Sequence, residues 1–588
     1  MYTLGINAAF HDSAACLVRD GVVLAAAEEE RFSRIKHAKR PVPFTVWELP
    51  FNAIDYCLRE AGIKLSDVDH VAYSLDPREL AYQPSDHHAI NLPLHPSAPS
   101  AEGAGPWDPL FYLYVHNASR QLADGAPLHL RARFEGQLRY AWHYVEHHLA
   151  HEASACLAAP FEHCAVMTLD GRGEAATTTY GIWRDGQLQR IKQVDMPHSL
   201  GMLYEDTTRW LGFLHSSDEY KVMALASYGT PRYLDKFRKM LQIDNEGGYR
   251  LVDADLEKHF GPARPRGGRF DARHFDVSAS LQKALEESAV KLATWLRHRS
   301  GETKLAMAGG VALNCVMNAR IRDAGLFDEV WVQPAAGDAG TALGAALWVD
   351  LRERHGPRAW QMDHAYLGPA YDDEDIEALL QWSKIPFRRM EDPAEETAAL
   401  LAQDQIIGWF QGRMEFGPRA LGARSILASP INPDMKARLN ELKDREDFRP
   451  VAPVVLEERF DDWFVRGKAT RKAPFMLFIY DVREEKLSHI PAATHVDRTA
   501  RVQTVDGKHN PAYYNLLKAF ERRTGVPVLV NTSFNSRGQP IVCSPRDAIE
   551  AFYSTPIDAL VMGSYVLSKR SQAVAAGEFS QNAVRAVA

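Results

Sequence analysis

His147 and His151 stand four residues apart in Glu146-His147-His148-Leu149-Ala150-His151-Glu152, followed by Ala153-Ser154-Ala155. The stretch predicts a helix, on which an i, i+4 pair shares one face and both imidazoles can reach one metal ion. Isolated pairs of this kind more often mark an exposed polar helix end. Two features favour a metal here: the small flanking residues permit close packing, and Asp338, in the turn Gly337-Asp338-Ala339-Gly340, offers a third, oxygen ligand. Two imidazoles and one carboxylate with open positions suit a divalent ion such as iron that keeps room for substrate oxygens. Asp170 offers a further ligand or a grip on a bound water.

Two glycine turns, Gly309-Gly310 leading to Asn314 and Gly337 to Gly340, follow apolar strands and precede helices. Backbone can approach a ligand closely at such turns, and the N–H groups of the following helix can meet phosphate. Later in the chain the cations gather: Arg413, Arg419 and Arg424 in a Gly- and Pro-shaped run, then Lys443, Arg445 and Arg449, then Arg501. Cations set in turns cannot form a simple helix face, so they converge on anions, for which guanidinium forks suit phosphate or carboxylate. The plainer alternative is surface charge paired with neighbouring Glu and Asp. The strand Val526 to Val530 ends in Asn531-Thr532-Ser533-Phe534-Asn535, a polar loop able to hydrogen-bond a small planar group or a nucleotide. His11, in the turn Phe10-His11-Asp12-Ser13, can take a proton near neutral pH.

The elements that position these groups show an internal echo. Leu4 to Asn7 runs through a polar turn into Ala14 to Val18, the turn Arg19-Asp20-Gly21 and Val22 to Ala27. Ala165 to Leu169 runs through Asp170-Gly171-Arg172-Gly173 into a strand ending at Trp183, the turn Arg184-Asp185-Gly186 and Gln187 to Val194. Aligning the turns gives an offset of 165 residues, and Leu4 then falls on Leu169. Two copies of one unit predict a duplicated α/β core with ligand between its halves, and with the glycine turns they resemble the actin, sugar-kinase and Hsp70 nucleotide fold. Helices are expected at Asp55 to Ala61, Ser280 to Ser300, from Thr341 and near Asp373 to Trp382, and a strand at Ile406 to Phe410. The stretch Asp76 to Pro109, rich in Pro, His and Ser, reads as an insertion or long loop, either functional or mobile. Charged and turn-forming residues from Arg352 to Asp372 mark the boundary between a first domain, 1–355, and a second, 366–568. Residues 569–588 read as a tail.

The 588 residues, 46% hydrophobic and 24% charged, support two to four folded domains and exclude a mainly disordered chain. A formal net charge of −8 weighs against nucleic acid as a partner. The N-terminus lacks the basic and apolar pattern of a signal peptide, and no stretch approaches the roughly 20 apolar residues of a membrane span. Six scattered cysteines, Cys16, Cys57, Cys156, Cys164, Cys315 and Cys543, point to buried thiols in a reducing cytoplasm.

The stretches FHDSAACL, AEEERFSRIKH, HHLAHEASA, GGVALN, GDAGTALGAAL, GRMEFGPRALGARSIL, LKDREDFRPVAPVV, HVDRTARVQTV and PVLVNTSFN resemble the O-carbamoyltransferase family of antibiotic and nodulation-factor biosynthesis, from about Thr3 to about Val566. The resemblance implies a first domain similar to the tRNA threonylcarbamoyltransferase subunit and a second similar to YrdC. The second would make carbamoyl adenylate from ATP and carbamoyl phosphate; the first would pass the carbamoyl group to a hydroxyl of a small molecule, releasing AMP. It implies metal at His147, His151 and Asp338, with His148 no ligand, and anion and adenylate contacts among Arg419, Lys443, Arg445, Arg449, Arg501, Asn531 and Ser533. It places transfer at His11. Arg498 departs from the expected glycine in HVDRTAR, which would alter a turn or add a cation near the adenylate. Two other readings compete. An enzyme of tRNA threonylcarbamoylation shares both domains, but the acidic balance and the order of fusion oppose it; a nucleotide-switched binding protein leaves the later cations unused. The acceptor stays open among aminoglycoside, macrolide or ansamycin, cephem and lipo-oligosaccharide, and so does the oligomeric state, a homodimer included.

Overall fold

Two five-stranded sheets share one order of strands. The computed structural model describes residues 1–38, 49–79, 126–134, 136–468 and 472–569. The first sheet contains β1 (Tyr2–Asn7), β2 (Ala14–Arg19), β3 (Val22–Glu28), β4 (His70–Tyr73) and β5 (Ala141–Tyr144), in the order β3-β2-β1-β4-β5. The second contains β6 (Cys164–Leu169), β7 (Ala176–Arg184), β8 (Gln187–Asp195), β9 (Lys304–Ala308) and β10 (Glu329–Val332), in the order β8-β7-β6-β9-β10. In each, the first three strands are antiparallel neighbours, while the first, fourth and fifth run parallel. The central strands are buried along nearly their whole length, as apolar runs covered on both faces require.

The echo is therefore a structural repeat, but its first strand is offset differently from its hairpin. Asp20-Gly21 and Asp185-Gly186 both lie at positive φ and form equivalent turns 165 residues apart. Counted back from those turns, Leu4 pairs with Leu17, and the counterpart pair is Ala165 with Ile182. Leu4 thus corresponds to Ala165, an offset of 161 rather than 165, and not to Leu169. Between these equivalent pairs the second copy holds sixteen residues against twelve in the first, although residues 8–13 and 170–175 separate the strands by six in both.

Four helices hold the halves. α1 (Phe51–Glu60) covers β2 and β3; α2 (His147–Cys156), α3 (Ala272–Ser300) and α4 (Ala339–Arg354) follow. α3 starts earlier than its periodicity suggests because Asp271 caps it, accepting from the Arg273 and His274 amides. α4 packs on both β1 and α2 through missing side chains. A Cβ at Gly5 would lie 1.9 Å from the Ala342 carbonyl oxygen, and one at Gly344 1.9 Å from that of Ala150. The Ala- and Gly-rich run Ala339 to Ala346 lets helix backbones touch, and so brings the start of α4 to the face of α2.

Beyond α4, residues 355–372 hold no helix and only an isolated bridge, Tyr366 to Glu415, yet they are tied down. Arg358 donates to the Ala159 carbonyl at 2.6 Å and the Ala26 amide to that of Leu367 at 3.2 Å. A mixed eight-stranded sheet follows, with spatial order Arg388–Arg389, Tyr565–Ser568, Ala559–Met562, Ile407–Phe410, Arg424–Ala428, Val528–Ser533, Ala452–Leu456 and Gln503–Val505. The helix Asp373–Trp382 forms as anticipated, capped by Asp372. This sheet region is locked to the first half through Glu28, whose carboxylate accepts from the Gly417 amide at 2.8 Å, and Arg31, which bonds Glu28 and donates to the Gly417 carbonyl at 2.9 Å. Of the stretch 76–109, only 76–79 fall within the described residues, as does only residue 569 of the tail. No helix among the described residues is long and apolar enough to cross a membrane.

Candidate functional site

The N-terminus of α2 is fixed by two carboxylates. Glu146 caps it, accepting from the Leu149 amide at 2.8 Å, and buried Glu174 accepts from the His147 amide at 3.0 Å. Anions are favoured there by the helix dipole. Their grip aims His147 and His151 at the start of α4, where Asp338 makes no capping bond of its own. His147 Nε2 lies 3.6 Å from Asp338 Oδ1 and 3.7 Å from Asp170 Oδ2, and His151 Nε2 lies 3.7 Å from Asp338 Oδ1. One ligand atom from each of the four comes within 4.8 Å of the rest, and all four residues are buried.

The Nε2 atoms of His147 and His151 are buried without a hydrogen-bond partner. His147 Nδ1 faces the Ser74 carbonyl oxygen at 3.3 Å, which favours the proton on Nδ1 and turns the Nε2 lone pair into the cluster. Burial disfavours a charged ring, but Asp338 and Asp170 outweigh it and hold the His147 pKa well above the ordinary value. Two buried carboxylates facing two orphaned imidazole nitrogens demand positive charge between them, and the donor set fits a divalent metal. His148 stands apart. Its Nδ1 meets Thr168 Oγ1 at 2.8 Å, and burial keeps its pKa well below the usual range.

The glycine turns divide in role. A Cβ at Gly309 would lie 2.2 Å from the Leu169 carbonyl oxygen, and one at Gly340 2.1 Å from that of Ala335, so both serve chain packing. The Gly310 amide donates to Asp170 Oδ1 at 2.6 Å. Beside Gly337 there is room: its nearest neighbours would be Asp12 Oδ2 and Leu313, both at 3.8 Å. Asn314 uses its side chain to cap the helix Cys315–Asp323 and to bond Gln282. His11 sits at the rim of the cluster, with its amide donating to Asp338 Oδ2 at 3.1 Å and its Nδ1 3.0 Å from Asp12 Oδ2.

Across the interface the cations do converge. Lys443, ending the helix Met435–Leu442, donates to Ser533 Oγ at 2.9 Å and Asn535 Oδ1 at 2.8 Å. Arg445 donates to Asn440 Oδ1 at 2.6 Å, Arg449 lies over the Tyr220 ring at 4.6 Å, and Arg419 donates to the Leu313 carbonyl at 3.2 Å. Arg419 Nε, Arg445 Nη2 and Arg501 Nε are buried without partners. Burial, with Arg501 pressing on Arg419 and Arg449 and Arg501 pressing on Arg445, holds both guanidinium pKa values below normal; Lys443 is lowered by burial and by Arg445 and Arg449. Glu446 meets Lys221 at 3.1 Å and Arg449 at 3.7 Å. So many cations held together against their own repulsion leave uncompensated positive charge, an arrangement chemically suited to an anion. Asn531 lies against it, donating to the Ala420 carbonyl and Gln503, with its buried Oδ1 unpartnered.

Arg498 has φ +65°, the conformation a glycine would take, and its exposed guanidinium pairs with Glu484 at 2.8 Å. The sequence reading gave no role to Arg34, Lys36 or His37, which lie between the two centres. Arg34 bonds the Pro540 and Ile541 carbonyls, Lys36 presses on Lys443, and His37 meets Asp12. The only signal for them was their place in AEEERFSRIKH. A cavity of about 530 Å³ is lined by Glu174, Glu146, Arg190, Trp348 and Arg352.

Comparison with known proteins places the chain in a family. Residues 2–347 match the family described as "Carbamoyltransferase N-terminus" and residues 398–569 match "Carbamoyltransferase C-terminus". Nodulation protein NolNO of Sinorhizobium fredii is 39% identical over 96% of this chain and 80% of its own length. Nodulation protein NolO of Bradyrhizobium diazoefficiens is 43% identical over 72% and 79%. The sll1178 protein of Synechocystis sp. is 39% identical over 97% of both chains. Among solved structures, full-length HypF in its phosphate- and nucleotide-bound form aligns with a TM-score of 0.33 at 15% identity, covering 61% of this chain and 56% of that one. With both halves matched and these relatives aligned over most of their length, the chain belongs to the carbamoyltransferase family and is an enzyme of carbamoyl transfer.

Proposed function

We propose that the protein is an ATP-dependent O-carbamoyltransferase working in two half-reactions, adenylation in residues 366–568 and transfer in residues 1–355. The observation that carries this reading is the pairing of a crowded, anion-hungry cation cluster with a separate His/Asp cluster across one interface. In the first half-reaction, water hydrolyses carbamoyl phosphate to carbamate and phosphate. A carbamate oxygen then attacks the α-phosphorus of ATP, forming carbamoyl adenylate and expelling pyrophosphate. Lys443, Arg419, Arg445, Arg449 and Arg501 hold the phosphates and offset charge as it builds. Asn531 and Ser533 offer polar contacts to the nucleotide or the carbamoyl group.

In the second half-reaction, the acceptor oxygen attacks the carbamoyl carbon, the bond to the AMP phosphate breaks, and the acceptor proton passes to His11. His147, His151 and Asp338 would hold a divalent cation, ferrous iron first among the candidates, with Asp170 beside it; bound there, it would supply Lewis-acid neutralisation of the AMP phosphate. Gly310 and Gly337 leave backbone near that phosphate. The acceptor is a small molecule bearing a hydroxyl. Mass spectrometry tests the reading: a panel of aminoglycoside, macrolide, ansamycin, cephem and lipo-oligosaccharide acceptors is incubated with enzyme, ATP, carbamoyl phosphate and ferrous ion. One added carbamoyl group, with pyrophosphate release dependent on carbamoyl phosphate, supports it; pyrophosphate release indifferent to carbamoyl phosphate refutes it.

A further inference from the structure

His37 occupies a segment that its own backbone does not favour. Arg34, His37 and Ala38 have φ of +58°, +62° and +56°, left-handed conformations taken without a single glycine. Such conformations persist where surrounding contacts over-determine them, and they collect at functional sites. Here the contacts are explicit. Arg34 is bonded to the Pro540 and Ile541 carbonyls, the His37 amide donates to Glu30 Oε2 at 2.6 Å, and His37 Nε2 lies 2.9 Å from Ser217 Oγ. What remains is His37 Nδ1, and it is aimed at Asp12 Oδ1, 2.8 Å away.

Asp12 is the bridge. Its other oxygen, Oδ2, lies 3.0 Å from His11 Nδ1, and the two imidazole rings stand 4.2 Å apart, tilted by 36°. Asp12 has φ +48°, and its backbone is held by Asn7, whose amide side chain donates to the Asp12 and His11 carbonyls. The contacts at 2.8 and 3.0 Å make a closed chain of hydrogen bonds from Ser217 through His37 and Asp12 to His11. A histidine that accepts a proton at one ring nitrogen needs the other held by a carboxylate, and that carboxylate needs a fixed orientation of its own.

We propose that His37 is a positioning residue for the transfer step, fixing the Asp12 carboxylate so that His11 presents its other ring nitrogen to the acceptor hydroxyl. The inference rests on the reading that His11 takes the acceptor proton. His37 touches no reacting atom in this scheme; it acts on kcat through two side chains.

The experiment uses the full-length enzyme, with pyrophosphate release and carbamoyl transfer measured separately and kcat and KM for the acceptor resolved. His37→Leu removes the donor to Asp12, His37→Asn restores one and tolerates a positive φ, and Ser217→Ala loosens the far anchor. His37→Leu is expected to lower transfer kcat about 10- to 100-fold with acceptor KM and pyrophosphate release near wild type. His37→Asn is expected to recover most of that loss, and Ser217→Ala to show a smaller loss of the same kind. Added to His11→Asn, His37→Leu should cost nothing more, because its effect passes through His11. If His37→Leu keeps wild-type transfer while His11→Asn has lost it, His37 does not position the base and the reading of His11 stands. An undiminished second loss in the double variant also overturns the positioning role. If His11→Asn itself transfers at the wild-type rate, the reading beneath the proposal has failed. Should His37→Leu not fold, the kcat of His37→Asn against that of Ser217→Ala decides the same question.

Discussion

Gly344 on α4 meets Ala150 on α2 so closely that a methyl group on Gly344 would sit 1.9 Å from the Ala150 carbonyl oxygen. That contact lies one residue from His151 and under two turns from Asp338, so it sets the gap between two helices that share the His/Asp cluster. Gly344→Ala must push backbone against backbone. It should lower stability by about 1–3 kcal/mol and weaken ferrous-ion binding in the folded fraction. Denaturant unfolding and calorimetric metal titration measure the two effects, and unchanged metal affinity would show that the gap is not set there.

The two proposed half-reactions should separate by mutation. Lys443→Ala removes a buried cation from the anion site and should lower pyrophosphate release by about 10²-fold or more. His147→Ala should leave pyrophosphate release near wild type and lower transfer at least as far. A folded His147→Ala protein that loses both equally would contradict the division.

Glu219 gives a pH signature. Burial, with a contribution from nearby Glu205, pushes its pKa up to about 7 from an unfolded value near 4.5. The folded state therefore binds more protons than the unfolded one between these values, so the group's contribution to stability is full below about pH 4.5 and is lost as pH rises to 7. Glu219→Gln should match wild type near pH 4.5 and exceed it at pH 8, by something on the order of 1–3 kcal/mol. Urea unfolding of both proteins at the two pH values measures the difference, and equal gaps at both would refute it.

Arg498→Gly should leave adenylate formation unchanged. The side chain is exposed and paired only with Glu484, a contact worth about 0–1 kcal/mol, while relief of a left-handed arginine returns about 1–2 kcal/mol. Stability should hold or rise slightly. A loss of pyrophosphate release would place Arg498 in the nucleotide site after all.

The His/Asp cluster was legible because its spacing is a property of one helix: residues four apart share a face wherever that helix is packed. The duplication was legible from Asp20-Gly21 and Asp185-Gly186, since a tight hairpin turn demands those residue types. Its first strand was misaligned because Leu4 and Leu169 match by residue type, whereas register is set by pairing, which differs by four residues between the copies and leaves no mark in composition. Asn314 shows another limit, as a polar residue after a glycine turn reads the same whether it meets ligand or caps a helix. His37 was invisible as a partner of Asp12, because a left-handed backbone at ordinary residues leaves no mark in sequence.

The four-residue shift in pairing between the two copies also breaks the twofold symmetry of the cleft. A perfect repeat would present the same groups from both sides. Instead the first copy's connection brings His11 and Asp12, while the second copy's brings Asp170 and reaches back with Glu174 to the N-terminus of α2. One half-molecule offers an imidazole with its carboxylate partner, the other a buried carboxylate and a helix anchor. Unlike reaction partners need unlike walls, and a doubled scaffold supplies them only where its two copies have stopped being equal.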